Sequence, residues 1–175
     1  MLAMISLPFF LQNTLGHIEV MTGLLLTPWP LATLFAAPAA GYLVERIHPG
    51  ILGSIGMGIF CIGLYSLSTL DAESSILSIC LRLAVCGIGF GLFQTPNNST
   101  IIASAPTKRS GGASGMLGMA RLMGQTLGTT LVALLFSWVV GSESTEICLI
   151  TGSVFALIAA IVSSLRLSQP SVLKE

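Results

Sequence analysis

The 175-residue chain predicts an all-α, polytopic membrane helix bundle, and three observations carry that prediction. Charged residues make up only 8% of the sequence and hydrophobic ones 53%, with a mean hydropathy of +0.91, whereas soluble domains carry about 25% charged residues. Apolar runs of roughly 20 residues, enough to cross a hydrocarbon core of about 30 Å, recur with short polar connections. Charge falls mostly in those connections, an arrangement hidden by the formal net charge of zero. Helices that satisfy their own backbone hydrogen bonds are the form such apolar lengths take in lipid.

Residues 1–14 form a partial span whose apolar part covers roughly 20 Å, and the run reads as the end of a helix that begins before this chain does. It lacks the basic start and small-residue cleavage pattern of a secretory signal. The next span, 20–44, is interrupted by Pro28, Pro30 and Pro38 and should bend, because proline removes an amide donor and clashes with the preceding turn. Its Pro28-Trp29-Pro30 triplet is either a hinge near a cavity or a packing kink. In 51–70, Gly53, Gly56, Gly58 and Gly63 allow close helix approach. Span 76–103 is long enough to tilt or to break at Thr95-Pro96; spans 113–140 and 147–167 follow, and 168–175 is a polar tail.

Two of these spans carry polar residues where lipid would reject them. Gly87, Gly91, Gln94 and Asn98 recur at helical spacing on one, and Ser114, Gly118, Arg121, Gln125 and Gly128 on the other. Two such faces suggest the lining of a pathway, with Gln94, Asn97, Asn98, Arg121 and Gln125 as the candidate residues. A helix-centre arginine costs about 2.5–3.5 kcal/mol on insertion scales, so Arg121 either serves the pathway or snorkels to the headgroups as an anchor. Gln125, one turn deeper, must hydrogen-bond across a helix or into water. Gln94, Asn97 and Asn98 flank Pro96, and their amides either face a cavity at a broken helix or bond between helices. The pairs Gly87 with Gly91, Gly111 with Gly115 and Gly124 with Gly128 have the G-x-x-x-G spacing of helix packing. Arg82, near the end of its span, reads as a snorkelling side chain.

Assigning alternate loops to opposite sides gathers Arg46, Lys108, Arg109, Arg166 and Lys174 on one side and Glu19, Asp71, Glu73, Glu143 and Glu146 on the other. The positive-inside rule makes the basic side, and the carboxyl terminus, cytoplasmic. Tyr65, Trp138 and Tyr42 near span ends suit the interfacial aromatic belts. Cys61, Cys80, Cys86 and Cys148 lack CxxC spacing and read as small buried hydrophobes, with no metal site expected. No catalytic residue is expected either: there is no acid dyad and no HExxH, and His17 and His48 fall in loops on opposite sides. All seven acidic residues lie in loops or the tail, so none is deep enough to carry a proton across a bilayer.

Gly41-Tyr42-Leu43-Val44-Glu45-Arg46 resembles the G-x-x-x-D/E-R loop motif of the major facilitator superfamily, which follows the second helix of each six-helix half. Gly41 would let a neighbour approach, and Glu45 would favour a helix amino terminus or pair with an arginine. His48 and Pro49 depart from the family's usual glycine and basic residue. The run Gln94-Thr95-Pro96-Asn97-Asn98, Ala105-Pro106, Arg109 to Gly115 and Arg121 to Gly128 is similar to the penultimate helix pair of the fourteen-span drug:proton antiporters. That resemblance implies a carboxy-terminal six-helix half with its first helix truncated, in a cell's inner (cytoplasmic) membrane. It implies as partners the lipid bilayer, an amino-terminal half and a cationic or amphipathic small molecule, with no nucleic acid. No cofactor is implied beyond the proton as coupling ion, whose acid would come from the amino-terminal half, so this chain is not expected to transport alone. The rival expectation is a non-transporting assembly partner or an inactive, truncated transporter.

Overall fold

Proline and glycine positions decide how the apolar runs become a bundle. The computed structural model describes residues 1–71, 74–106, 110–139 and 142–165. The described residues form α1 (Leu2–Asn13), α2 (Glu19–Leu26), α3 (Pro28–Val44), α4 (Pro49–Ser68), α5 (Ile76–Ala103), α6 (Ser110–Trp138) and α7 (Ser142–Leu165), with no strand among them. Counting α2 and α3 as one 26-residue span, five helices of 20 to 29 residues are long and apolar enough to cross a membrane. The 12 residues of α1 cover about 18 Å, short of the hydrocarbon thickness. Glu73, Lys108, Arg109, Arg166, Lys174 and the tail 168–175 lie outside the described residues.

Three helices begin before their apolar runs do. Pro49 occupies the first turn of α4, where its missing N–H is no loss, and His48 caps that turn by accepting the Gly50 N–H on Nδ1 at 3.1 Å. The two residues that depart from the family motif thus start a helix. At α7, Glu143 lies in the first turn, where an acidic side chain favours the positive end of the helix dipole. At α6, the helix takes in Gly111 and Gly112, ahead of the apolar span expected from 113, so that Gly111 shares a helix with Gly115 as their spacing requires.

The Pro28-Trp29-Pro30 triplet divides its span at Thr27. Because Pro28 has no N–H for the Leu24 carbonyl, the Thr27 N–H donates there instead, at 3.2 Å, and the Thr27 hydroxyl covers the Gly23 carbonyl at 3.0 Å. The break is therefore largely satisfied from within. Pro96 leaves α5 continuous, and the Thr95 hydroxyl reaches across to the Ala37 carbonyl of α3 at 3.4 Å.

α5 is the centre of the bundle, packed between α3 and α4, with α7 on the far side of α4 and α1 against α7. Lipid gives apolar surfaces little reason to leave it, so the contacts depend on close fit. Gly56 of α4 and Gly89 of α5 meet reciprocally: a Cβ on Gly56 would lie 2.9 Å from the Gly89 carbonyl, and one on Gly89 would lie 2.8 Å from the Gly56 carbonyl. Gly63 sits against Cys86 in the same seam, while Gly53 faces Ser163 of α7. Gly58 has open space around it. On the other side of α5, Gly87 rests on the Trp29 carbonyl and Gly91 on Ala36, and the Thr33 hydroxyl lies 3.0 Å from the Gly87 carbonyl. Leu7, Leu11, Trp29, Leu64, Ile79, Leu83, Cys86 and Leu149 fill the interior.

Arg82 reaches back along its span to the end of the neighbouring helix, at the side of the bundle where α5 begins. Its guanidinium donates from Nη1 to the Ser66 carbonyl and, at 3.0 Å, to the Thr69 hydroxyl, capping the carbonyl end of α4 where a cation suits the dipole. Cys86 and Cys148 are buried, whereas Cys61 and Cys80 are only half-buried.

Candidate substrate cavity

α6 carries the polar stripe that the sequence singles out, yet it is the least packed of the long helices. Val132 is its one buried residue among those described. A Cβ added at Gly111, Gly115 or Gly124 would meet nothing within 4 Å, and one at Gly128 would meet only Met1. The expected packing of Gly111, Gly115 and Gly124 against another helix is therefore not made among the described residues, none of which comes within 4 Å of a Cβ at these positions. Gly87 and Gly91 do pack, under α3.

The open side of α6 bounds a cavity of about 540 Å³ to which α1, α3, α4, α5, α6 and α7 all contribute. Gln94 of α5 and Arg121, Gly124 and Gln125 of α6 line it together. The spacing of Phe90 and Gln94, four residues apart, turns both toward this space, as does that of Arg121 and Gln125. Asn97 and Asn98, one turn on from Gln94, are half-buried and do not line it.

The rest of the wall is apolar and aromatic. Trp29, Phe60 and Phe90 form a chain across three helices: the Trp29 and Phe60 rings meet edge-on with centroids 5.6 Å apart, and Phe60 and Phe90 are tilted at 5.9 Å. Phe155 of α7 and Met57 of α4 complete it. Sequence reasoning reached Trp29 only through the flanking prolines. Phe60, Phe90 and Phe155 stand in plain apolar runs, so no local signal marks them.

The electrostatics are one-sided. Among the lining side chains only Arg121 is charged, and it has no hydrogen-bond or ion-pair partner among the described residues. The side-chain amides of Gln94 and Gln125 are likewise without partners there. A cavity with three unspent polar side chains and an aromatic wall can hold an amphipathic molecule, polar groups for orientation and rings for contact area.

The loop motif has a different geometry from the one its resemblance implies. Gly41 is exposed with no neighbour inside 4 Å of a Cβ position. Glu45 ends α3 rather than beginning a helix. Arg46 turns back to Tyr42, donating to its hydroxyl with the guanidinium 4.8 Å from the ring centroid, so it does not pair with Glu45. In this chain the motif is a helix ending with its own cation–π contact.

Five spans of membrane-crossing length, with a partly open cavity among them, define a multi-pass membrane protein. The sequence pattern of the Major Facilitator Superfamily matches residues 1–174, and the chain belongs to that family. It is 57% identical over 170 residues, 97% of its length, to the uncharacterized transporter YebQ of Escherichia coli, of which it covers 37%. It is 33% identical over 130 residues, 74% of its length, to the multidrug resistance protein Stp of Mycobacterium tuberculosis, of which it covers 24%. The multidrug efflux pump LfrA of Mycolicibacterium smegmatis is 28% identical over 127 residues, 73% of this chain and 25% of the pump. The chain thus spans between 24% and 37% of the length of these relatives.

Proposed function

We propose that these helices are the carboxy-terminal bundle of a drug:proton antiporter of the fourteen-span type, set in a cell's inner membrane with the carboxyl terminus cytoplasmic. The observation that carries this reading is the convergence of Gln94, Arg121 and Gln125 from two spans on one aromatic-walled cavity. Multidrug resistance and efflux proteins among the relatives support an amphipathic small molecule as the substrate. Transport proceeds by alternating access, the bundle rocking against an amino-terminal half around a site near the midplane. The unpacked side of α6 supports that partner, which would lie against Arg121, Gln125 and the open glycines. Asn97 and Asn98 belong to the same pathway, farther along α5.

The coupling acid comes from the amino-terminal half. Within the described residues Glu19 and Glu143 lie in the first turns of helices, Glu146 lies near the start of α7, Glu45 ends α3 and Asp71 lies in a connection. None reaches the cavity. The protein acts as a carrier with the proton as coupling ion and no other cofactor.

Gln125→Leu tests the reading in a version of the protein that carries both halves. Export of a fluorescent drug should fall about tenfold, the cost of about 1.4 kcal/mol in a binding or rate step, while membrane abundance stays constant. Unchanged export at equal abundance would remove Gln125 from the pathway.

A further inference from the structure

We infer that the cavity between α5 and α6 takes an aromatic anion, an acidic amphiphile whose carboxylate or sulfonate is held by Arg121 and whose rings lie against Trp29, Phe60 and Phe90. This rests on the transport reading above and narrows its substrate class.

Three features point the same way. The lining holds one charged side chain, and it is positive. That guanidinium has all five of its N–H donors unspent among the described residues, in the planar fork that suits a carboxylate. Gln94 and Gln125 each add an amide N–H₂ with no partner of its own, so the polar side of the cavity is rich in donors.

The apolar side sets the body of the ligand. Trp29, only 6% exposed and set edge-on to Phe60, backs the wall, while the half-buried rings of Phe60 and Phe90 offer contact surface beside the aliphatic chains of Met57 and Leu64. Such walls accept flat aromatic systems by offset or edge contacts. A quaternary ammonium ligand would also find aromatic faces, the usual basis of its recognition. Here, however, it would share a space of about 540 Å³ with an arginine and with no carboxylate among the lining residues. Cation–π attraction at rings that are not fully desolvated is modest, and the like charge of Arg121 works against it. A cationic substrate would need its counter-charge from outside these helices.

Energy transfer from Trp29 provides the test. The chain has two tryptophans, so Trp138→Phe, at a position 78% exposed, leaves Trp29 as the one donor. The 175-residue chain, purified in a non-ionic detergent, is titrated with anthracene-9-carboxylate and with the matched cation, anthracenylmethyl-trimethylammonium. The carboxylate should bind at least tenfold more tightly, about 1.4 kcal/mol. Arg121→Gln should shrink the ratio to within about twofold, and Arg121→Lys should keep most of it, since the charge rather than the fork alone sets the sign. Because the same micelles serve all variants, partition of either dye into detergent cancels in the comparison. Equal or tighter binding of the cation, or a preference that survives Arg121→Gln, overturns the inference and leaves the transport reading standing. Failure of both probes to draw energy from Trp29 overturns the inference together with the cavity's role in that reading.

Discussion

α5 and α6 are nearly the same length, carry the same G-x-x-x-G spacing and each place an arginine within the helix, yet they occupy opposite situations. α5 is held on two sides, with Gly89 and Cys86 in one seam and Gly87 and Gly91 in the other. α6 keeps one buried residue, Val132, and leaves Gly111, Gly115 and Gly124 facing open space. The two arginines repeat the contrast: Arg82 caps the end of α4, and Arg121 has no partner among the described residues. A small residue records that a neighbour can come close. Whether one does depends on the rest of the fold.

The sharpest way to break this comparison is to add one methyl group to each helix. Gly89→Ala would press a Cβ into the backbone of α4 at Phe60 and Gly56, where nothing can rotate away. Unfolding in mixed micelles should show a loss of about 3 kcal/mol, the upper range of overpacking costs. A loss near zero would mean that α4 and α5 are not in contact through these glycines. The arginines give the next largest effect. Arg82→Leu removes a charged donor from the Ser66 carbonyl and should cost about 2 kcal/mol by the same measurement, whereas Arg121→Gln should leave stability within about 0.5 kcal/mol. Equal losses would erase the difference between a spent and an unspent guanidinium. Least of all, Gly124→Ala should change stability by no more than about 0.5 kcal/mol in this chain. A large loss there would reveal a contact with a second copy.

Much of the fold was legible because hydropathy in lipid is nearly a length measurement. Four spans show directly as apolar runs, and the proline triplet announced the division at Thr27. The helix starts were harder. Polar residues such as Glu143 and glycines such as Gly112 read as connection, although a first turn welcomes acidic side chains and an exposed glycine does not stop a helix. Of the candidate site, Gln94, Arg121 and Gln125 could be found by periodicity because polarity within a span is rare. Phe60, Phe90 and Phe155 could not, since an aromatic ring that faces a cavity looks the same in sequence as one that faces acyl chains. The role of Arg82 was hidden for a related reason: its partner is a main-chain carbonyl 16 residues away, and carbonyls leave no mark on a sequence.

The joint at Thr27 bears on the cavity as well as on the span. Trp29 follows that joint by two residues, and its carbonyl rests on Gly87 of the most tightly held helix. The indole is thereby riveted to the stationary centre of the bundle. The Glu19 segment of the span is held as well, with Thr22 and Leu25 buried and with α1 and α5 against it, so the joint redirects the span while both of its parts stay packed.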